Sequence, residues 1–217
     1  VALRYRSIFW DLDGTLTDPR EGIERSVRFA LGRLGIAARD DAFGRMIGPP
    51  LARSLRELYG LHGDVLATAL ALYRERYSVV GWRENRPYPG IAPLLADLAA
   101  AGARMAVATL KPAAMARRIL AQFSLDRYLE TVYAPAPFDE DADKGAILAD
   151  ALSQSPWHGS GPAVMVGDHP GDVDAALRVG IDAVGVLYGY GNEATLRTSG
   201  ATYLAAGPAD LRTMLFR

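Results

Sequence analysis

The sequence predicts an α/β fold: a parallel sheet with helices on both faces, and an all-helical segment inserted after the first strand. Three observations carry this expectation. Ile8-Phe9-Trp10 is a short apolar run that meets Asp11-Leu12-Asp13-Gly14, the pattern of a buried strand ending in a turn. Residues 17–85 carry helical periodicity and no convincing strand. After Pro87-Tyr88-Pro89-Gly90 the pattern changes to alternating helices and strands, which implies a parallel sheet. Residues 1–16 and 86–217 are therefore expected to form the sheet domain, with 17–85 as a helical insertion.

Within the insertion, Ile23, Val27, Leu31 and Leu34 mark a helix over about 20–35. A short helix is expected over 40–46, then a break at Gly48-Pro49-Pro50. Leu51, Leu55 and Leu58 mark the next helix, and Leu66, Leu70, Tyr73 and Tyr77 another. Beyond residue 90, Ile91 to Leu98 read as a helix and Met105 to Ala108 as a strand that ends at Thr109. Pro112 stands where a helix's first position is expected. A short strand follows at 131–133, a helix from about Lys144, and a Ser/Gly/Pro-rich loop from Ser153 to Pro162. Strand 163–166, helix 172–179, strand 183–187, helix 192–199, strand 201–204 and helix 208–216 complete the pattern.

Composition excludes several functions. Half of the 217 residues are hydrophobic and the net charge is −1, which gives no footprint for nucleic acid or an anionic membrane. No apolar run approaches the length of a membrane span. The first residues run straight into the first strand without the pattern of a signal peptide. There is no cysteine, hence no disulfide, thiolate site or cysteine nucleophile, and a cytoplasmic setting is expected. Of the 24 basic residues only Lys111 and Lys144 are lysine. In a chain that otherwise uses arginine, both positions point to a need for a compact ammonium.

Four strand ends carry polar residues, and a parallel sheet brings such ends to one edge. Asp11 and Asp13, expected on one side of the strand tip, repel each other and call for a cation. Asp11 suits a nucleophile on phosphorus and Asp13 a general acid–base; alternatively one caps a turn and the other is solvated. Thr109, with the backbone of Leu110 and Lys111, suits an anion site, or is a plain helix cap. Lys144 suits neutralisation of a phosphoryl oxygen, or pairs on the surface with Asp139, Glu140, Asp141 and Asp143; Lys111 has the same two readings. Asp168 and Asp172 could complete a Mg²⁺ site with Asp11, or Asp172 could cap the next helix, with Asp174 facing elsewhere. His62 and His158 read as surface loop residues, whereas His169 lies in the aspartate loop without an assigned catalytic role. No Ser-His-Asp order, Gly-rich nucleotide loop or metal-binding His pair is evident.

Together these motifs resemble the haloacid dehalogenase superfamily, specifically its phosphatases. Asp11-Leu-Asp-Gly-Thr15, Thr109, Lys144 and Gly167 to Asp172 stand in the family's order and strand contexts over nearly the full length. The resemblance implies a Rossmann-like core with a helical cap at 17–85 that closes over the site. It implies Asp11 as nucleophile, Asp13 as general acid–base, and phosphate contacts from Gly14, Thr15, Thr109, Leu110, Lys111 and Lys144. It further implies Mg²⁺ held by Asp11, the Asp13 carbonyl and Asp168, with Asp172 in support. A second aspartate argues against dehalogenation, where the leaving halide needs no proton.

Ile47-Gly-Pro-Pro50, Ala108-Thr-Leu-Lys-Pro112, Tyr188-Gly-Tyr-Gly191 and Gly200-Ala-Thr-Tyr-Leu204 look like the phosphoglycolate-phosphatase and 5′-nucleotidase-like group. Many relatives of that group place an arginine shortly before the third-motif lysine, where this chain has Glu140-Asp-Ala-Asp143. The expected partner is a small phosphorylated metabolite, phosphoglycolate first and a 5′-nucleotide as the alternative. A phosphomutase and a non-catalytic phosphate-binding protein are the remaining readings. Arg45, Arg53 and Arg56 flank the cap's break and could reach a substrate carboxylate or second phosphate, or be solvated.

Overall fold

Ile8, Phe9 and Trp10 are fully buried, and the sheet is built outward from them. The computed structural model describes residues 2–136, 139, 142–154 and 161–217. The first strand, β1, covers Ser7–Trp10. A two-residue strand β2 (Thr17–Asp18) leads into helix α1 (Arg20–Arg33). A 3₁₀ turn at Asp40–Met46, helix α2 (Leu51–Tyr59) and helix α3 (Gly63–Val79) follow. Strand β3 (Arg86–Pro87) closes the segment by pairing antiparallel with β2. Helix α4 (Ile91–Ala100), strand β4 (Arg104–Ala108), helix α5 (Ala113–Gln122) and strand β5 (Val132–Tyr133) come next. Then follow α6 (Lys144–Ser153), β6 (Ala163–Gly167), α7 (Pro170–Arg178) and β7 (Asp182–Val186). Helix α8 (Glu193–Thr198), strand β8 (Tyr203–Ala205) and helix α9 (Pro208–Leu215) finish the chain.

The six-stranded sheet has the order β5-β4-β1-β6-β7-β8 and is parallel throughout. Side-chain alternation divides the core into two layers. Ile8, Trp10, Val107, Val166 and Val184 face α4, α5 and α9 through Leu95, Ile119 and Leu211. Phe9, Ala106, Met165 and Ala183 face α6, α7 and α8 through Leu148, Ala176 and Leu196. Both faces are covered, so the strands read as continuous apolar runs. The strand order reverses at β1, whose neighbours β4 and β6 lie on either side. In open α/β sheets the crevice beyond such a reversal is where ligands bind.

Three expectations change. Thr17–Asp18 is a strand inside the stretch expected to be only helical. Two residues are too few to show alternation, and their partner Arg86–Pro87 lies far along the chain. The Arg86 guanidinium fixes the pairing by binding the Asp18 carboxylate at 2.8 Å. Helix α7 begins at Pro170, two residues before the expected start, because His169 and Asp172 form a capping box around it. Pro112 is the cap of α5 and not its first helical residue. Most of the expected 153–162 loop, His158, Glu140 and Asp141 lie outside the described residues. Among the described residues no helix is long and apolar enough to cross a membrane.

Candidate active site

The strand β1 stops at Trp10, so Asp11, Leu12 and Asp13 belong to a turn and not to the strand tip. Strand alternation therefore does not govern the two carboxylates, yet both line one cavity of about 580 Å³. Each meets its own lysine. The Lys144 ammonium, at the start of α6, donates to Asp11 Oδ1 at 2.7 Å and also to Asp172 Oδ1. The Lys111 ammonium lies 2.7 Å from Asp13 Oδ2 and donates to the Tyr77 hydroxyl at 2.9 Å. Both lysine side chains are buried, at 8% and 10% exposure. The chain's two lysines thus occupy its two buried ammonium sites among the described residues.

Asp168 follows β6 and is 2% exposed. Its Oδ2 accepts the Tyr190 N–H at 2.7 Å, while its Oδ1 has no hydrogen-bond partner. Carboxylate oxygens of Asp11, Asp168 and Asp172 gather within 4.8 Å of one another. Asp172 is fully engaged: Lys144 binds one oxygen and the His169 N–H donates to the other at 3.0 Å. Three buried carboxylates with one ammonium between them leave a deficit of positive charge. An all-oxygen donor set, a free buried lone pair on Asp168 and this deficit fit a hard divalent cation such as Mg²⁺.

The electrostatics follow from burial. Burial raises the pKa of Asp11, with Lys144 pulling the other way. Burial also raises Asp13 against the opposing Lys111. Asp168 is pushed up to about 8 by burial and by the charges of Asp11 and Asp172. His169 caps α7 by accepting the Gly171 N–H on Nδ1 at 3.1 Å. Burial, with Lys144 nearby, lowers its pKa and keeps the ring neutral.

Thr109 is buried beyond β4, and its Oγ accepts the Lys111 N–H at 3.2 Å. Thr109, Leu110 and Lys111 line the same cavity. The Gly14 N–H donates to the Thr17 carbonyl at 2.8 Å and so holds its own turn together. Thr15 is buried, its hydroxyl lacks a partner, and its carbonyl accepts the Tyr188 hydroxyl at 3.0 Å. Gly14 has φ +90°, and a Cβ there would fall inside the Asp168 carboxylate. His62, Asp174, Arg45 and Arg53 are exposed, and none of the four lines the cavity. Among the described residues Lys144 pairs with Asp11 and Asp172 and not with the expected surface cluster; Asp143 instead pairs with Arg178 at 2.8 Å and caps α6.

The family model described as haloacid dehalogenase-like hydrolase matches residues 8–186. The chain belongs to this family. It is 42% identical over 216 residues to a 5′-nucleotidase of Pseudomonas aeruginosa, covering 99% of this chain and 97% of that protein. It is 34% identical to a phosphoglycolate phosphatase of Cupriavidus necator, over 88% of this chain and 84% of the other. The solved structure of Mycobacterium tuberculosis protein tyrosine kinase A superposes with a TM-score of 0.84 at 40% identity, covering 97% of this chain and 98% of that one. The chain spans 62% of the length of the full tyrosine-protein kinase of that name.

Two features of this haloacid dehalogenase-like hydrolase escape the motifs. Tyr77 on α3 reaches the Lys111 ammonium from within the helical segment. The Tyr188-Gly-Tyr-Gly191 loop wraps Asp168: the Tyr190 N–H binds its carboxylate, and a Cβ at Gly189 or Gly191 would overlap it. The two glycines were visible in the sequence, but only as a marker of a subgroup.

Proposed function

We propose that the protein is a Mg²⁺-dependent phosphatase that hydrolyses a phosphate monoester through an aspartyl-phosphate on Asp11. The observation that carries this reading is the buried Asp11 carboxylate held at 2.7 Å by Lys144, with Asp13 in the same cavity beside its own lysine. Asp11 attacks phosphorus as the leaving oxygen departs. Asp13, whose burial favours the protonated form, gives that oxygen its proton and then takes one from the water that opens the acyl phosphate. Lys144 orients Asp11 and, with Thr109, offsets charge on the phosphoryl oxygens. Asp11, the Asp13 carbonyl and Asp168 would hold Mg²⁺, with Asp172 supporting through Lys144; the ion would add positive charge beside the phosphoryl group. Residues 17–85 act as a cap that excludes water, and the substrate is a small phosphorylated metabolite in a cytoplasmic setting. The names of the relatives keep both phosphoglycolate and a 5′-nucleotide in view.

The test is hydrolysis of p-nitrophenyl phosphate with and without Mg²⁺ by the wild type, Asp11→Asn and Asp13→Asn. Undiminished turnover by folded Asp11→Asn would sink the mechanism. A tyrosine-kinase reading has one observation in its favour, the likeness to protein tyrosine kinase A. Against it stands the lack of a Gly-rich nucleotide loop. Transfer of phosphate from ATP to a tyrosine peptide, faster than monoester hydrolysis, would favour it.

A further inference from the structure

The cavity above Asp11 extends well beyond the space a phosphoryl group needs. Its volume of about 580 Å³ falls within the ~300–1,000 Å³ of pockets that enclose a whole organic ligand. The polar floor is Asp11, Asp13, Thr109 and Lys111. Ile23 of α1, Met46, Leu51 of α2, Leu70 and Tyr73 of α3, and Met115 of α5 form the walls. Tyr73 stacks on Tyr77 with ring centroids 5.1 Å apart, so its ring is held in place before any ligand arrives.

The charges around this space are already committed. Lys111 serves Asp13 and Tyr77. Among the described lining residues outside the floor, the charged ones are Arg74 and Asp139. They are of opposite sign, both exposed, and neither is without a partner. Arg45, Arg53 and Arg56 do not line the cavity. A second anionic group on the substrate would lose its water and find no uncommitted cation among the described lining residues. An apolar ring would instead gain contact on several sides.

We propose that the leaving group is an uncharged, ring-bearing body of aryl or nucleoside size, seated against Leu70, Tyr73 and Met115, and that small carboxylate-bearing monoesters are poor substrates. This rests on the phosphatase reading above. It goes further by giving the helical segment a defined chemical preference.

The test compares kcat/KM for ethyl phosphate, benzyl phosphate, a 5′-nucleoside monophosphate and phosphoglycolate. All four leave as primary alcohols, so contacts rather than leaving-group acidity dominate the ranking. The expected result is a ring-bearing substrate at least about tenfold above ethyl phosphate, the scale that added apolar contact supplies, with phosphoglycolate below ethyl phosphate. Whether benzyl phosphate or the nucleotide is faster separates an aryl from a nucleoside leaving group. Met115→Asp and Tyr73→Ala are each expected to shrink the ring-to-ethyl ratio several-fold. A flat ranking, phosphoglycolate as the best substrate, or a ratio untouched in both folded variants overturns the inference while leaving the phosphatase reading intact. A selective loss of phosphoglycolate turnover in Arg74→Ala, from a high wild-type value, overturns it in the same way. Absence of hydrolysis of any of the four overturns the phosphatase reading, and this inference with it.

Discussion

Lys111 Nζ lies 2.7 Å from Asp13 Oδ2, inside a site where both side chains are largely closed to solvent. A buried ammonium is stable there only because the carboxylate faces it, and the reverse holds equally. Removing the cation in Lys111→Met is expected to lower stability by roughly 2–4 kcal/mol in urea denaturation. It is also expected to reduce kcat by about 10²-fold, because Asp13 then holds its proton too tightly to exchange it. Lys111→Arg should not restore either property, since a planar guanidinium cannot replace a compact ammonium between Asp13 and Tyr77. Wild-type kinetics in Lys111→Met would contradict this coupling.

The pKa of Asp168, raised from 3.8 to about 8, sets a pH window for the metal-free protein. The folded state keeps a proton that the unfolded chain releases near 3.8, so this group's contribution to stability is full below 3.8. It is lost as pH rises through about 8. Binding of Mg²⁺ must displace that proton, so affinity should climb with pH and level off above about 8. Thermal unfolding across pH 5 to 9, with and without Mg²⁺, measures both effects. Asp168→Asn should flatten this part of the metal-free pH profile and abolish most of the shift caused by Mg²⁺.

Gly14 leaves room for Asp168. The added methyl group of Gly14→Ala, at φ +90°, must push the Asp168 carboxylate away. A displacement of about 1 Å is enough to cost on the order of 10²-fold in turnover. Circular dichroism should stay native while kcat falls. A fully active Gly14→Ala enzyme would show that the position of Asp168 is not critical.

Glu84 accepts hydrogen bonds from Arg76 at 2.8 and 2.9 Å and from Arg25 at 2.8 Å. The Arg76 hydrogen bonds, assisted by Arg25, hold its pKa below the ordinary 4.5. Its stabilisation is present above 4.5 and disappears as pH falls through the lowered folded value. Glu84→Gln is expected to cost about 1–2 kcal/mol at neutral pH, with the difference from wild type vanishing in acid. Equal losses at neutral and acid pH would point to packing and not to charge.

The two lysines show how much of the site was legible in the sequence. Their rarity in an arginine-rich chain marked both as special, and both are buried against carboxylates. The strands β1, β4 and β6 were legible too, because buried parallel strands read as apolar runs, whereas the end of β1 was not, since Asp11 and Asp13 were expected at its tip. Tyr77 was legible only as a helix-core residue. Its hydroxyl contact depends on where α3 sits relative to the loop after β4, which no local pattern encodes. The division of labour between Lys111 and Lys144 was hidden for a related reason. It depends on β1 stopping one residue before Asp11, and strand boundaries are the least local-sequence-determined part of an element. The short β2–β3 pair was invisible because its register comes from an ion pair spanning 68 residues.

Tyr190 ties two parts of the molecule that the sequence keeps apart. Its backbone N–H grips the Asp168 carboxylate at 2.7 Å, and its hydroxyl binds Asp18 on the strand that leads into the helical segment. Arg86, on the strand leading out, grips the same Asp18. Both ends of the segment are thus moored at Asp18, and Tyr190, which binds Asp18, also binds Asp168. A rigid swing of the helices must find its pivots between Pro19 and Asn85. Torque that reaches the moorings passes through Tyr190 to Asp168, and also through Thr17, whose carbonyl accepts from the Gly14 N–H beside that carboxylate.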